Sequence, residues 1–505
     1  MSYRRSLVIA ILVACLPLPI VADEANGDRP PNVVFIIADD FGVGELGSYG
    51  QKYIKAPHLD RLATEGMRFT QHYSGFPVCA PARCTLMTGK HAGHSSIRDN
   101  GNPPHRPKDP ARDLWQGQNP IPDDAVTIAE LFKARGYATG AMGKWGLGYE
   151  GSTGDPANQG FDLFFGYICQ AHAHNHYPTF LWRITPDGRE QVRYPGNTGR
   201  DLVGSTYSQD EFFREAEAFV RANKDRPFFL YLPIIVTHLS IQVPEDEPSL
   251  AEYRRTIPEE DYEHRSAYLK HPTPRAAYAA MVTRMDREVG ELVDLIESLG
   301  LGDDTIFVFT SDNGPAHEPR FGGTDSTFFD SAQGRRGRKG DVYEGGIREP
   351  LIVRWTGKVP AGTTSDLPTY FPDWLPTLLD LTGAAESVPQ DVDGLSFAPT
   401  LLGRPDEQRR HEFLYWEFPA YGGQQAVRAG DWKAVRRDMA RLKPGEKPKT
   451  ELYDLAADPA ESRDVADERP ETVAKLEAVM AEQHEPSELF PLPGVDPAKR
   501  KGRRE

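Results

Sequence analysis

An α/β fold built on a largely parallel central sheet is the architecture this chain predicts. Short, continuous apolar runs rich in β-branched and aromatic residues recur at 32–38, 228–232 and 305–310, as strands buried on both faces require. Stretches with helical spacing separate them; the clearest covers 277–300, where Tyr278, Met281, Met285, Val289, Leu292 and Ile296 share one face. Near residue 405 the pattern changes to short strands, tight turns and a single helix, which reads as a second, smaller α+β unit with a short antiparallel sheet.

In chain order, the first strand ends in Asp39-Asp40 and a glycine loop. Residues 56–66 form a helix, with Leu59, Leu62 and Ala63 inward and Gly66 as its stop, and a strand at 67–72 delivers the chain to Cys79. Thr127 and Glu130 make a capping box for a helix that Gly136 ends. The strand at 137–142 runs into Gly143-Lys144-Trp145-Gly146, and 150–205 reads as loop around Ala171-His172-Ala173-His174-Asn175-His176. Phe212, Ala216, Phe219 and Val220 give a helical stripe before the strand at 228–232, which leads to Thr237-His238; the strand at 305–310 gives way to Ser311-Asp312-Asn313-Gly314. Strands at 413–416, 425–429 and 433–437 and a helix at 471–483 complete the reading. The expected division is a leader at 1–22, a main domain at 30–404, a small domain at 405–490 and a basic tail at 491–505 that frays at its end, 499–504.

A net charge of −16 argues against non-specific nucleic-acid binding, so a polyanionic substrate has to be met by a local basic pocket. Arg4 and Arg5 precede an apolar run from Leu7 to Ala22 that Pro17 and Pro19 interrupt; it is too short and broken for a membrane span and matches an export signal cleaved before Asp23. Leu12-Val13-Ala14-Cys15 resembles a lipoprotein box, but the apolar residues after Cys15 favour cleavage and release into the periplasm or medium. Cys84 and Cys169 are then either a disulfide or two buried thiols.

Candidate chemistry starts at Cys79, a thiol at a loop-to-helix junction with the Arg83 guanidinium one turn on. A helix N-terminus gathers unpaired N–H groups and partial positive charge, which suits an anion and acidifies a thiol. Taken alone, a cysteine there is an ordinary core residue. Asp39-Asp40, Lys144 and Asp312-Asn313 fall at the carboxyl ends of strands, where open α/β sheets bind ligands. Four oxygen-bearing side chains suggest a hard cation, Ca²⁺ or Mg²⁺, although acidic residues also cap strands and open turns.

Jointly these residues resemble the sulfatase family. Cys79, Pro81, Arg83, Leu86, Thr88 and Gly89 match its signature, with Ala82 where a serine is usual. The resemblance implies an alkaline-phosphatase-like sandwich and conversion of Cys79 to formylglycine by a maturation enzyme, the hydrated aldehyde being the nucleophile. It implies a metal, calcium rather than magnesium, held by Asp39, Asp40, Asp312, Asn313 and the modified Cys79. Lys144 and Lys339 (the latter in Lys339-Gly340, before Tyr343-Glu344-Gly345-Gly346) would bind sulfate together with Arg83, and His238 would protonate the leaving oxygen. One position departs: the family's Gly-Lys-Trp-His-Leu-Gly has Gly146 in place of the histidine, and His94 is the substitute base the sequence offers. His172, His174, Asn175 and Trp182, with Trp416, Glu417, Gln424 and Gln425, are candidates for a sugar pocket, His174 and Asn175 foremost. The expected activity is exo-acting hydrolysis of sulfated carbohydrate. The alternatives are a phosphodiesterase or phosphonate monoester hydrolase on the same apparatus, and a non-catalytic sulfoglycan-binding protein should Cys79 stay a thiol.

Overall fold

A computed structural model describes residues 29–103, 117–199, 201–265, 268–319, 322–443 and 445–497. The leader with Cys15 and the basic run at 499–504 lie outside them. No helix among the described residues is long and apolar enough to cross a membrane.

The large sheet has 11 strands: β1 (Asn32–Ala38), β2 (Met67–Tyr73), β3 (Ala138–Lys144), β4 (Leu163–Tyr167), β5 (Phe180–Thr185), β6 (Gly188–Arg193), β7 (Phe228–Pro233), β8 (Thr305–Ser311), β9 (Arg348–Arg354), β10 (Thr363–Ser365) and β11 (Thr369–Tyr370). Their order is β10-β2-β9-β8-β1-β7-β3-β4-β5-β6, with β11 on β2. The run from β8 to β4 is parallel throughout. Strand β9 is antiparallel to β2 and β8, and β5 and β6 turn back at the other edge. The main sheet is therefore mixed around a parallel centre.

Strand side chains alternate between faces, and β1 shows what each face meets. Val33, Phe35 and Ile37 join a core with Phe132, Phe229 and Trp374, whereas Val34, Ile36 and Ala38 join one with Leu59, Phe212, Met281 and Val289. The second core is covered by the helices Pro57–Glu65, Ser208–Asn223 and Pro274–Ser298. Both faces are apolar because both are packed, which gives a helix-sheet-helix sandwich.

A second sheet, β12 (Leu414–Phe418), β13 (Gln424–Ala429), β14 (Trp432–Arg436) and β15 (Thr450–Asp454), is an antiparallel meander under the helix Pro470–Glu482. Its other face is continuous with the main core through Trp416, Phe418 and Val435. The Trp416 indole donates to Ser74 O at 2.8 Å, and the buried Lys433 ammonium lies 2.9 Å from Glu344 and 3.0 Å from Glu461. Leu492 is buried and Asp496 pairs with His484 at 2.9 Å, so the chain is held against the small domain as far as residue 496. Cys79, Cys84 and Cys169 are buried, and among the described residues no disulfide joins Cys84 to Cys169.

Candidate active site

Because β8, β1, β7 and β3 are parallel neighbours, the segments leaving their carboxyl ends emerge along one edge. Strand β1 delivers Asp39 and Asp40, β8 delivers Asp312 and Asn313, β3 ends at Lys144, and the turn after β7 carries His238. Cys79 opens the helix Cys79–Thr88, whose left-handed stop at Gly89 matches the sequence motif. The Cys79 Sγ lies 3.3 Å from Asp39 Oδ1, and the Lys144 ammonium lies 2.6 Å from Asp39 Oδ2. Lys339 Nζ is 2.7 Å from Asp40 Oδ1, and Asn313 Nδ2 donates to that oxygen at 2.8 Å. Asp40 itself has φ 63, and its N–H donates to Asp312 Oδ1 at 3.2 Å.

Arg83 is a brace in this cluster. Its Nε and Nη2 donate to Asp312 Oδ2 at 3.0 and 2.8 Å, its Nη1 donates to Lys144 O, and Nη2 lies 3.5 Å from Asp39. These bonds make it a brace that holds the strand ends together.

The electrostatics overturn one expectation. Burial, followed by the Asp39 carboxylate, pushes the Cys79 thiol up to about 12, against the acidification expected of a helix N-terminus. Unmodified, this sulfur stays protonated at neutral pH and is a poor nucleophile. Burial works to raise Asp39, yet Lys144, His238 and Arg83 outweigh it and hold that carboxyl well below its ordinary value. His238 Nδ1 bonds Leu239 O at 2.7 Å, which leaves Nε2 facing the cluster, 3.6 Å from Asp40 Oδ2.

The donor set fits a divalent cation. One ligand atom each from Asp39, Asp40, Cys79 and His238 lies within 4.8 Å of the others, and Asn313 Oδ1 is buried without a partner. Asp312 is tied to Arg83 and to Asp40 N–H beside them.

A profile of the sulfatase family matches residues 31–384, and one for the C-terminal part of N-sulphoglucosamine sulphohydrolase matches 338–486. The chain belongs to the sulfatase family. Human arylsulfatase A is 33% identical over 470 residues, covering 86% of this chain and 83% of the relative, and mouse steryl-sulfatase is 30% identical over 508 residues, covering 86% and 75%. Among solved structures, Ps i-CgsB in complex with k-i-k-neocarrahexaose superposes with a TM-score of 0.71 at 26% identity, over 90% of this chain and 92% of that one. The sulfatase is thus a hydrolase of the formylglycine-dependent, arylsulfatase-like type within the alkaline phosphatase superfamily.

Several sequence candidates fall elsewhere in the sulfatase. His94 stands beyond the far end of the nucleophile helix, stacked on His91 at 4.0 Å and bonded to Asp393 at 2.9 Å; a helix of that length spans about 15 Å, so it cannot serve the Cys79 end. Asn175 uses its amide to brace loops, accepting from Tyr177 N–H at 2.9 Å and Gln242 Nε2 at 3.0 Å and donating to Gly199 O. His172 packs between Tyr167 and Phe180, and Trp182 and Trp416 are core residues. Glu417 pairs with Arg98 and His484, Gln424 donates to Gly340 O, and Gln425 donates to Tyr415 OH, so these too are structural. His174 does reach the site, stacked on His238 at 4.6 Å.

The space a histidine at 146 would claim is occupied. A β-carbon on Gly146 would lie 2.0 Å from Gln170 Nε2, and the Gln170 amide nitrogen and oxygen are buried without partners. Gln170 carries no motif; the only sequence signal for it is the glycine that makes room.

Proposed function

We propose that this exported sulfatase hydrolyses sulfate esters of carbohydrate through a formylglycine made from Cys79 by a maturation enzyme. The observation that carries the reading is the convergence of Lys144 and Lys339 on the two carboxylates beside Cys79, which, with the Arg83–Asp312 pair, balances charge around one buried atom so that a bound divalent cation would make the site positive. Formylglycine would supply a hydrated-aldehyde oxygen as nucleophile toward sulfur. Asp39, Asp40, Asp312, Asn313 and the modified residue would hold a divalent cation, calcium rather than magnesium because the protein supplies most of the ligands where magnesium keeps several waters, and it would supply positive charge to the sulfate oxygens.

The chain's own groups do the rest. Lys144 and Lys339 exchange one carboxylate contact for sulfate oxygens and take up charge that spreads over them as the ester S–O bond lengthens. His238 donates Nδ1–H to Leu239 O, so its Nε2 can protonate the departing alcohol oxygen only as the imidazolium; burial, Lys339 and Lys144 disfavour that form, and a bound sulfate anion beside the ring would favour it. Arg83 keeps Asp312 and the Lys144 backbone in register. Gln170, whose unpartnered amide fills the space beside Gly146, would be able to hydrogen-bond a polar group bound there but cannot act as a base.

Support for a sugar substrate comes from Ps i-CgsB, a structural neighbour solved in complex with a neocarrahexaose, and from canine N-acetylgalactosamine-6-sulfatase, 32% identical over 75% of this chain. Export rests on the leader-like first 22 residues. Two measurements test the proposal. Mass analysis of the Cys79 peptide from protein made with a maturation enzyme should show formylglycine, and a thiol there favours the binding-protein reading. Turnover of an aryl sulfate should exceed that of an aryl phosphodiester or phosphonate monoester; the reverse ranking overturns sulfate-ester hydrolysis.

A further inference from the structure

The catalytic cluster is deeply buried, and its most open member is Lys339, whose side chain is 16% exposed against 1% for Lys144. Substrate therefore enters on the Lys339 side. On that side a cleft is lined by Val78, Asp99, Asn100, Phe418, Ala420 and Tyr421. Val78 immediately precedes the nucleophile, and Asn100 Oδ1 accepts the Ala80 N–H at 3.0 Å, so one wall of the cleft is the start of the nucleophile helix itself. The opposite wall comes from the loop between β12 and β13. Tyr421 there has φ 49 and is 67% exposed, and its ring lies over Gly340, where a β-carbon would come within 2.5 Å of it. Gly340 is pinned between Pro77 O, which accepts its N–H at 2.8 Å, and Gln424, which donates to its carbonyl at 2.6 Å. Phe418 supports the tyrosine edge-on at 5.3 Å.

A large aromatic held that exposed, in left-handed backbone that a tyrosine adopts at a cost, packs little of its own surface. Beside it stand a carboxylate and an amide. An aromatic face with hydrogen-bonding groups at its edge matches a pyranose, which presents apolar C–H groups on one face and hydroxyls around its rim. We infer that this cleft is the subsite for a sugar ring of the substrate, with Tyr421 as its stacking platform and the Asn100 amide reading its hydroxyls. The inference rests on the carbohydrate reading above and locates where the sugar sits. It also explains why the small sheet is fastened to the Lys339 turn: the sheet supplies the aromatic half of the site.

The test compares kcat/KM on a panel of sulfated mono- and oligosaccharides, including D-glucosamine-2-N,6-O-disulfate and a carrageenan hexaose, with kcat/KM on 4-nitrophenyl sulfate, for the mature wild type, Tyr421→Ala and Tyr421→Phe. Thermal unfolding confirms that the exposed substitutions leave the fold intact. The sugar-to-aryl ratio of the best sugar should fall about tenfold in Tyr421→Ala, mainly through KM, and recover to within about threefold in Tyr421→Phe. An unchanged ratio in Tyr421→Ala overturns the subsite while leaving carbohydrate hydrolysis standing. Wild-type turnover of the aryl ester with none of the sugars overturns the carbohydrate reading and the subsite with it.

Discussion

Gly146 and Gln170 occupy one volume: the β-carbon of any other residue at 146 would sit 2.0 Å from the glutamine amide. With φ +82 at Gly146, a histidine there meets both a clash and left-handed backbone. Gly146→His should therefore lose at least about 2 kcal/mol of stability. Adding Gln170→Ala should relieve the steric part and leave roughly 1–2 kcal/mol of backbone strain. Urea unfolding of the two single variants and the double variant checks the coupling; simple additivity refutes the shared volume.

Gln170→Ala on its own separates a functional role from a structural one. Removing a buried amide with no partners should change stability by no more than about 1 kcal/mol, since the lost packing is offset by lost desolvation penalty. Turnover should nonetheless drop by about tenfold or more. Unaltered kcat on an aryl sulfate would show that the amide only fills space.

The acidic cluster should bind calcium in a way that heat can report. After dialysis against a chelator, added Ca²⁺ should raise the unfolding temperature, reaching about 2.7 kcal/mol of stabilisation at a hundredfold excess over its dissociation constant. Mg²⁺ should do less, and Asp40→Asn should blunt the response. Identical melting curves with chelator, calcium and magnesium would rule the site out.

Glu247 gives a pH signature away from the cluster. Burial would raise its pKa, but Arg287 and Ser249, then Arg284, bring it from the ordinary 4.5 to about 2. A depressed carboxyl stabilises the fold fully above 4.5, and that contribution is lost as pH falls towards 2. Glu247→Gln should cost about 3 kcal/mol at pH 7, and the gap to wild type should close over the same window in unfolding experiments. A gap independent of pH would mean that the ion pairs do not carry the effect.

Lys433 is enclosed with Glu344 and Glu461, and its side chain is fully buried. Lys433→Met leaves buried Glu461 without its cation and Glu344 with Arg348 at 3.0 Å, and should cost about 3–5 kcal/mol, read as a fall in unfolding midpoint. A change below about 1 kcal/mol would show the triad to be dispensable.

The parallel centre of the sheet is legible because its strands are buried on both faces: 32–38 and 305–310 are continuous apolar runs, and the acids that end them mark the binding edge. The capping box at Thr127 and Glu130 appears in the structure as its residues dictate. Strand β9 is not legible, because nothing local says that Arg348–Arg354 runs antiparallel between β2 and β8; that is decided by tertiary pairing. The hairpin of β5 and β6 reads as loop, since Gly188–Arg193 is a polar, exposed edge strand without an apolar alternation. His94 misleads through proximity in sequence, because a helix carries it away from Cys79. Gln170 and Tyr421 bear on the site only through volume and exposure, and neither quantity is written in a motif.

Cys79 is 1% exposed once the chain has folded, walled by turns that the small sheet helps to hold. An enzyme that rewrote this side chain would therefore have to reach the thiol before the small sheet docks. A host with slow maturation and fast folding would then accumulate well-folded protein that still carries the thiol.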